Sequence, residues 1–64
     1  MKTTIETASV ETPAGTFRLF AKGGALVAAG FEEAAPRLVA RLEARFGPLE
    51  LRDVADPAGA VAAL

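Results

Sequence analysis

The sequence predicts a small α+β domain in which an antiparallel three-stranded meander is packed by one helix. Two short turn signals separate three apolar runs of strand character, and a later run repeats apolar residues at helical spacing. At 64 residues the chain holds one domain at most, with a small core. Its hydrophobic content of 52% is too high for an intrinsically disordered segment. We therefore expect residues 1–64 to be folded, or to be part of something folded.

The first two strands are predicted on either side of a proline turn. Residues 3–11 are rich in β-branched side chains, which favours a strand. Thr12-Pro13-Ala14-Gly15 follows as a turn signal, because Pro13 presets φ at the second position of a turn. Residues 16–21 predict the second strand, because alternation places Phe17, Leu19 and Ala21 together on one face of a sheet.

A glycine pair separates the second strand from the third. Gly23 and Gly24 can both adopt positive φ, as the central residues of a two-residue hairpin turn require. Lys22 precedes them, but the spacing of a phosphate-binding loop is absent and no helix follows, so a hairpin turn is the better interpretation. The third strand, over residues 25–31, is apolar on both faces, which is typical of a strand covered on each side or paired between neighbours. Gly30 within it indicates a bulge or a close backbone approach.

An amphipathic helix is predicted over residues 35–46. Pro36 suits the first turn of a helix, and the acidic side chains of Glu32 and Glu33 before it interact favourably with the helix dipole at its N-terminus. An apolar stripe recurs at helical spacing on Leu38, Val39, Leu42 and Phe46. A Gly-Pro pair follows the stripe and ends the helix.

Two further elements are expected after this helix. Residues 49–53 alternate apolar and charged side chains and predict a short strand. Asp56 and Pro57 have the residue types of a helix N-cap and first helical position, so a second helix is expected from residue 57. No C-terminal helix signal precedes Leu64, which predicts that residues 1–64 are a partial domain of a longer, truncated chain.

The composition excludes several kinds of chemistry. The chain has no Cys and no His, so disulfides, Cys/His zinc sites and nucleophilic catalysis by a thiol or a Ser-His pair are ruled out. The net charge is -1 and the basic residues are spread from Lys2 to Arg52, without the dense basic patch of a nucleic-acid-binding surface. Neither a signal peptide nor a run of about 18 apolar residues is present, so a cytoplasmic location without a membrane partner is expected.

The remaining polar residues favour structural roles over catalytic ones. Ser9 lies in a predicted strand with no nearby base and is interpreted as a hydroxyl on a strand face. The pairs Glu32/Glu33 and Asp53/Asp56 could act as acid and base or hold a hard metal ion, but capping and dipole stabilisation explain them better. No catalytic, cofactor-binding or metal-binding residue is therefore assigned, and no cofactor is expected.

Two other groups of side chains have both a structural and a functional interpretation. Arg37, Arg41 and Arg45 share one helix face that could meet a phosphate backbone or an acidic partner. A solvated face, with Glu33 pairing with Arg37, is the simpler interpretation. The four phenylalanines are expected in the core, at positions 17, 20, 31 and 46.

Residues 4–64 resemble the N-terminal domain of a known family. The similar stretches are Thr12-Pro13-Ala14-Gly15-Thr16-Phe17-Arg18-Leu19, then Gly24-Ala25-Leu26-Val27-Ala28-Ala29-Gly30-Phe31, then a helix with Leu38, Leu42 and Phe46-Gly47. In this order of strand, turn, strand, turn, strand and helix, the chain resembles the methylated-DNA–protein-cysteine methyltransferases, or alkylguanine-DNA alkyltransferases.

The resemblance implies a DNA repair protein with two domains. An N-terminal ribonuclease-H-like α+β domain supports a helical C-terminal domain, which carries a helix-turn-helix for DNA, an Arg that helps to extrude the base, and a Pro-Cys-His-Arg motif. The Cys accepts the methyl or alkyl group from the oxygen at position six of guanine and is consumed. Such chemistry requires the base to leave the stack and a thiolate to be available.

None of the catalytic residues of that family is present in this sequence, because they belong to the C-terminal domain. The expectation is therefore a scaffold portion of a DNA repair methyltransferase, inactive by itself, whose intramolecular partner is the catalytic domain and which meets DNA only through it. The alternative is a small non-enzymatic interaction or dimerisation module.

Overall fold

The computed structural model describes residues 2–59, which form a four-stranded mixed sheet and one α-helix. The strands are β1 (Thr3–Thr12), β2 (Gly15–Lys22), β3 (Ala25–Phe31) and β4 (Leu49–Asp53). The helix is α1 (Ala35–Phe46), and single 3-10 turns lie at Glu32–Ala34 and Pro57–Gly59. The strand order is β3-β2-β1-β4. The domain is thus α+β, and the expected ranges 3–11, 16–21 and 25–31 differ from the observed strands by at most one residue at either end.

The sheet is mixed and has four strands, so the expected antiparallel three-stranded meander accounts for only part of it. β1, β2 and β3 are antiparallel neighbours, but β4 pairs in parallel with β1, from Thr3 opposite Leu49 to Thr7 opposite Asp53. The reason is the connection between β3 and β4. α1 carries the chain back to the end of the sheet where β3 begins, so β4 must run in the direction of β3 and β1.

The turn between β2 and β3 depends on its two glycines. Lys22 and Ala25 are register partners, and Gly23 and Gly24 between them have φ angles of 58° and 82°. Positive φ at both central residues matches the right-handed twist of the strands that a two-residue turn joins. The glycine pair therefore sets the register of the β2–β3 hairpin.

The third strand contains both a bulge and a close backbone approach, at different residues. The register moves from Phe20 opposite Ala28 to Ala21 opposite Leu26, which leaves Val27 as the extra residue of a bulge. A Cβ atom at Gly30 would lie 3.0 Å from Cδ1 of Leu38. The bulge is thus at Val27, while Gly30 lets α1 approach the sheet closely.

One face of the sheet and α1 enclose the main core. Ile5, Phe20 and Leu42 form a buried cluster, with exposed fractions of 0%, 0% and 4%. Partly buried apolar residues surround this cluster: Val27, Ala28, Leu38, Val39, Phe46 and Leu49. The stripe predicted on the helix therefore packs on the sheet, as its spacing indicates.

The opposite face of the sheet also buries apolar side chains. Leu19 and Ala21 alternate with Phe20 along β2 and are 1% and 0% exposed. Phe17 and Phe31 are register partners on this face, and their rings meet edge to face with centroids 5.2 Å apart. Phe31 remains 39% exposed, so the expectation of four core phenylalanines is wrong at this residue. It lies on β3, which has no outer neighbour among the strands of residues 2–59.

Both ends of β4 are hydrogen-bonded to β1. Thr3 donates its backbone N–H to the carbonyl of Pro48 at 2.9 Å and its hydroxyl to the carbonyl of Phe46 at 3.1 Å. After β4, the N–H of Val54 donates to the carbonyl of Thr7 at 3.0 Å. Hydrogen bonds from both ends of β4 to β1 therefore hold the fourth strand in register.

The chain after β4 returns to the sheet. Pro57 is fully buried, and the turn Pro57–Gly59 contacts β1, β2 and β3. At residue 57, where a helix is expected, the described residues form a 3-10 turn over Pro57–Gly59. The predicted continuation over 60–64 lies outside the described residues. Within residues 2–59, no helix has the length and apolar content needed to cross a membrane.

Candidate functional site: an arginine-lined groove and two open sheet edges

A groove runs between α1 and the edge strand β3. It has a volume of about 410 Å³ and combines an apolar floor with two guanidinium groups. Its lining residues are Val27, Ala28, Ala29, Leu38, Arg41, Leu42 and Arg45. Arg37 and Arg41 also border a smaller cavity of about 210 Å³ that continues along the same side of α1. Arg41 and Arg45 therefore lie beside β3, and Arg37 lies one helical turn before Arg41 along α1.

These arginines are exposed on the helix surface. The guanidinium of Arg45 lies over the ring of Phe46 at 5.2 Å, and Lys22 approaches the same ring at 5.5 Å. Within residues 2–59 the expected pair of Glu33 and Arg37 is not formed, and the neighbouring carboxylate of Glu32 pairs with Arg18. A basic surface next to apolar side chains can hold a carboxylate or phosphate without a metal ion.

Arg18 on β2 links the first residue after β3, Glu32, to the central strand β1. Its Nη1 donates to Oε1 of Glu32 at 3.2 Å and its Nη2 donates to Oγ1 of Thr7 at 3.3 Å. The guanidinium also lies 5.6 Å from the ring centroid of Phe20. Because Thr7 is only 1% exposed, Arg18 provides a buried hydroxyl with a hydrogen-bond partner. We assign Arg18 a structural role.

The structure does not gather the candidate acid–base residues into a site. Glu32 is engaged by Arg18, and Glu33 lies on the exposed surface next to it. Ser9 is exposed on β1 opposite Arg18. Within residues 2–59, no group of three or more Asp and Glu side chains is close enough to hold a metal ion.

The outer edge of β3 is apolar. Leu26 and Phe31 are 49% and 39% exposed near its two ends, and no charged residue lies within the strand. Edge strands present unpaired backbone groups to solvent, and charged side chains normally discourage other strands from joining them. Arg41 and Arg45 of α1 face β3 across the groove.

The outer edge of β4 has a different pattern. The carbonyl of Pro48 and the N–H of Val54 both bond to β1, and strand residues alternate in the direction of their backbone groups. Glu50 and Arg52 therefore face β1 with their backbone groups, whereas Leu49, Leu51 and Asp53 direct theirs to the open edge. Leu51 is 43% exposed, and Glu50 and Arg52 are exposed beside it.

Sequence reasoning placed the arginines on one helix face but missed both the groove and the edge of β4. The floor of the groove comes from β3, which no helical spacing reveals. For β4, the alternation over residues 49–53 after a crossover helix was the available signal, since such a connection permits a parallel strand.

Comparisons of the chain with protein family models, with curated proteins and with solved structures found no match.

Proposed function

We propose that this domain is the N-terminal scaffold portion of a cytoplasmic DNA repair protein of the alkylguanine-DNA alkyltransferase class. In this function it supports a separate catalytic domain, which is its intramolecular partner and through which the whole protein meets DNA. The domain itself takes no part in the chemistry, because the chain has neither the Cys that accepts the alkyl group nor a His.

The order of elements is the observation that supports the proposal. A strand, the Thr12-Pro13-Ala14-Gly15 turn, a second strand, a glycine turn, a third strand and a helix follow one another along residues 3–46. This is the order in which the sequence resembles the alkyltransferases. A ribonuclease-H-like identity of the domain belongs to the same proposal.

The chemistry assigned to the whole protein is a single irreversible transfer. A thiolate of the catalytic domain attacks the alkyl carbon, a sulfur–carbon bond forms, and the bond from that carbon to the guanine oxygen breaks. Guanine is restored with a proton on the ring, and the alkylated Cys remains on the protein. Each molecule therefore reacts once. The contribution of the supporting domain is then to stabilise the catalytic domain, since there is no turnover for it to assist.

The direct test is the coding sequence downstream of the codon for Leu64. The proposal predicts a helical domain containing Pro-Cys-His-Arg, whereas an immediate stop codon or an unrelated domain would refute it. A biochemical test accompanies it. The 64-residue chain, incubated with an oligonucleotide that contains 6-O-methylguanine, should show no added methyl group by mass spectrometry, and the extended protein should gain one.

A second candidate function is a small interaction or dimerisation module. The specific observation in its favour is that the sheet ends in two strands without outer neighbours among the described residues, with Leu26 and Leu51 about half exposed on them. Unpaired strand edges with exposed apolar residues are sites where other strands add to a sheet. A stop codon after Leu64 together with a reversible dimer would select this function.

A further inference from the structure

We propose that β4 pairs with β4 of a second copy of this chain, antiparallel and centred on Leu51, so that two four-stranded sheets join edge to edge. Such pairing would make the domain a self-association module, the second candidate function above. The coding-sequence test addresses the scaffold function separately, so either proposal can fail alone.

The backbone of β4 is suited to this pairing. Leu49, Leu51 and Asp53 point their N–H and C=O groups away from β1, as the bonds at Pro48 and Val54 define. With a two-fold axis at Leu51, the backbone N–H of each Leu51 donates to the backbone carbonyl of the other Leu51. Leu49 of one copy then lies opposite Asp53 of the second, and the backbone groups of both residues also point outward. All three outward-facing residues of the strand thereby find partners.

The side chains of β4 are self-complementary in the same register. Glu50 of one copy lies opposite Arg52 of the second, and the two-fold axis also places Arg52 of the first copy opposite Glu50 of the second. These are the closely spaced, non-hydrogen-bonded pairs of an antiparallel ladder, in which opposite charges are favourable. Glu6 is the register neighbour of Arg52 on β1, so Arg52 would lie between two carboxylates. Moving the two-fold axis by one residue, to Glu50 or to Arg52, would place that charged residue opposite its own copy.

An exposed apolar residue is covered by the same contact. Leu51 is the register partner of Ile5 and so lies on the face of the sheet that α1 covers, yet it is 43% exposed because β4 is the last described strand. Leu51 of the second copy would pack beside it. Pairing through five residues buries less area than the ~1,200 Å² of standard interfaces, so the dimer should be weak and concentration-dependent.

The other edge does not offer the same complementarity to a second copy. β3 has no charged residues to fix a register, and its bulge at Val27 interrupts a regular ladder. Two copies joined through β3 would also bring Arg41 and Arg45 of both helices toward the same seam. Like charges at that seam would oppose the association.

The test is sedimentation of the 64-residue chain from about 10 µM to about 1 mM, with circular dichroism to monitor folding. The wild type should shift from monomer to dimer across this range, and more weakly at high salt. Leu51→Pro removes the outward N–H and leaves the bonds to β1, so it should stay folded and associate at least about tenfold more weakly. Its matched control, Glu50→Pro, removes an inward N–H and should instead destabilise the fold.

Charge reversal gives an independent readout that does not involve proline. Glu50→Arg places Arg opposite Arg twice and should weaken the dimer at least about tenfold, whereas the double variant Glu50→Arg/Arg52→Glu should restore it. A folded wild type that stays monomeric at the highest concentration would overturn the proposal. So would a dimer that Glu50→Arg leaves intact, or one that Leu26→Lys on β3 abolishes instead. If Leu51→Pro fails to fold, the charge-reversal pair decides.

Discussion

The central and edge strands of this sheet differ in what their side chains do. On the central pair, Ile5 of β1 and Phe20 of β2 are fully buried, as is Leu19 on the other face of β2. On the edges, Leu26 of β3 and Leu51 of β4 are about half exposed. The central strands therefore hold the fold together, and the edges are available for contacts with other molecules.

The largest effect is expected at the centre of the core. Phe20→Ala should cost about 3–5 kcal/mol of unfolding free energy, because it leaves a cavity between the sheet and α1. A core of this size rarely supplies more than about 3–5 kcal/mol in total, so the variant should be largely unfolded in water. Chemical denaturation followed by circular dichroism measures this.

Leu26→Ala on the edge is the matched control for that variant. Its side chain is already 49% exposed, so the loss should stay below about 1 kcal/mol. Equal losses for the two variants would contradict the distinction between centre and edge.

A smaller effect is expected where α1 approaches β3. Gly30→Val should cost about 1–3 kcal/mol, because its Cβ would lie 3.0 Å from Cδ1 of Leu38 and 3.8 Å from Cβ of Ala34. Ala29→Val is the control on the neighbouring exposed position of the same strand, where added volume should be tolerated. Thermal unfolding of the pair checks this, and a Gly30→Val variant as stable as its control would show that the helix can move away freely.

The contact between the crossover and the central strands should contribute less. Arg18→Ala removes the bonds to Glu32 and Thr7 and should cost about 1–2 kcal/mol. Arg37→Ala, on the exposed surface of α1, should change stability by no more than about 0.5 kcal/mol. If urea denaturation gives the same value for both arginines, the assigned structural role of Arg18 is wrong.

The smallest stability effect is expected at the edge of β3. Leu26→Lys should change the free energy of unfolding by less than about 0.5 kcal/mol, because the side chain is half exposed. It should nevertheless reduce irreversible aggregation at high concentration, since a charge on an apolar edge discourages strand addition. Light scattering over a concentration series compares the variant with the wild type, and unchanged aggregation would mean that β3 is not the edge responsible.

Local signals in the sequence predicted the individual elements well. Proline and glycine turns, the β-branched first strand and the apolar stripe of α1 each act within a few residues, so they indicate structure without knowledge of the rest of the fold. The glycine pair at 23 and 24 shows this, because positive φ at both residues is a property of the turn itself.

What the sequence left open was the arrangement of these elements in space. The parallel pairing of β4 with β1 joins residues more than 40 positions apart, and alternation over residues 49–53 does not specify a partner. The exposure of Phe31 has the same origin, since it depends on β3 lying at an edge. The candidate surfaces were missed for this reason: the groove and the open edge of β4 exist only once α1 and β4 are placed.

The central claim is that the central strands stabilise the fold while the outer edge of β4 pairs with a second copy. Amide hydrogen exchange along β4, measured at low and high protein concentration, tests this most directly. The amides of Glu50 and Arg52 should be protected at both concentrations, because they bond to β1. The amide of Leu51 should exchange rapidly at low concentration and become protected at high concentration. Protection of Leu51 that is independent of concentration, or exchange that stays rapid throughout, would contradict pairing through this edge.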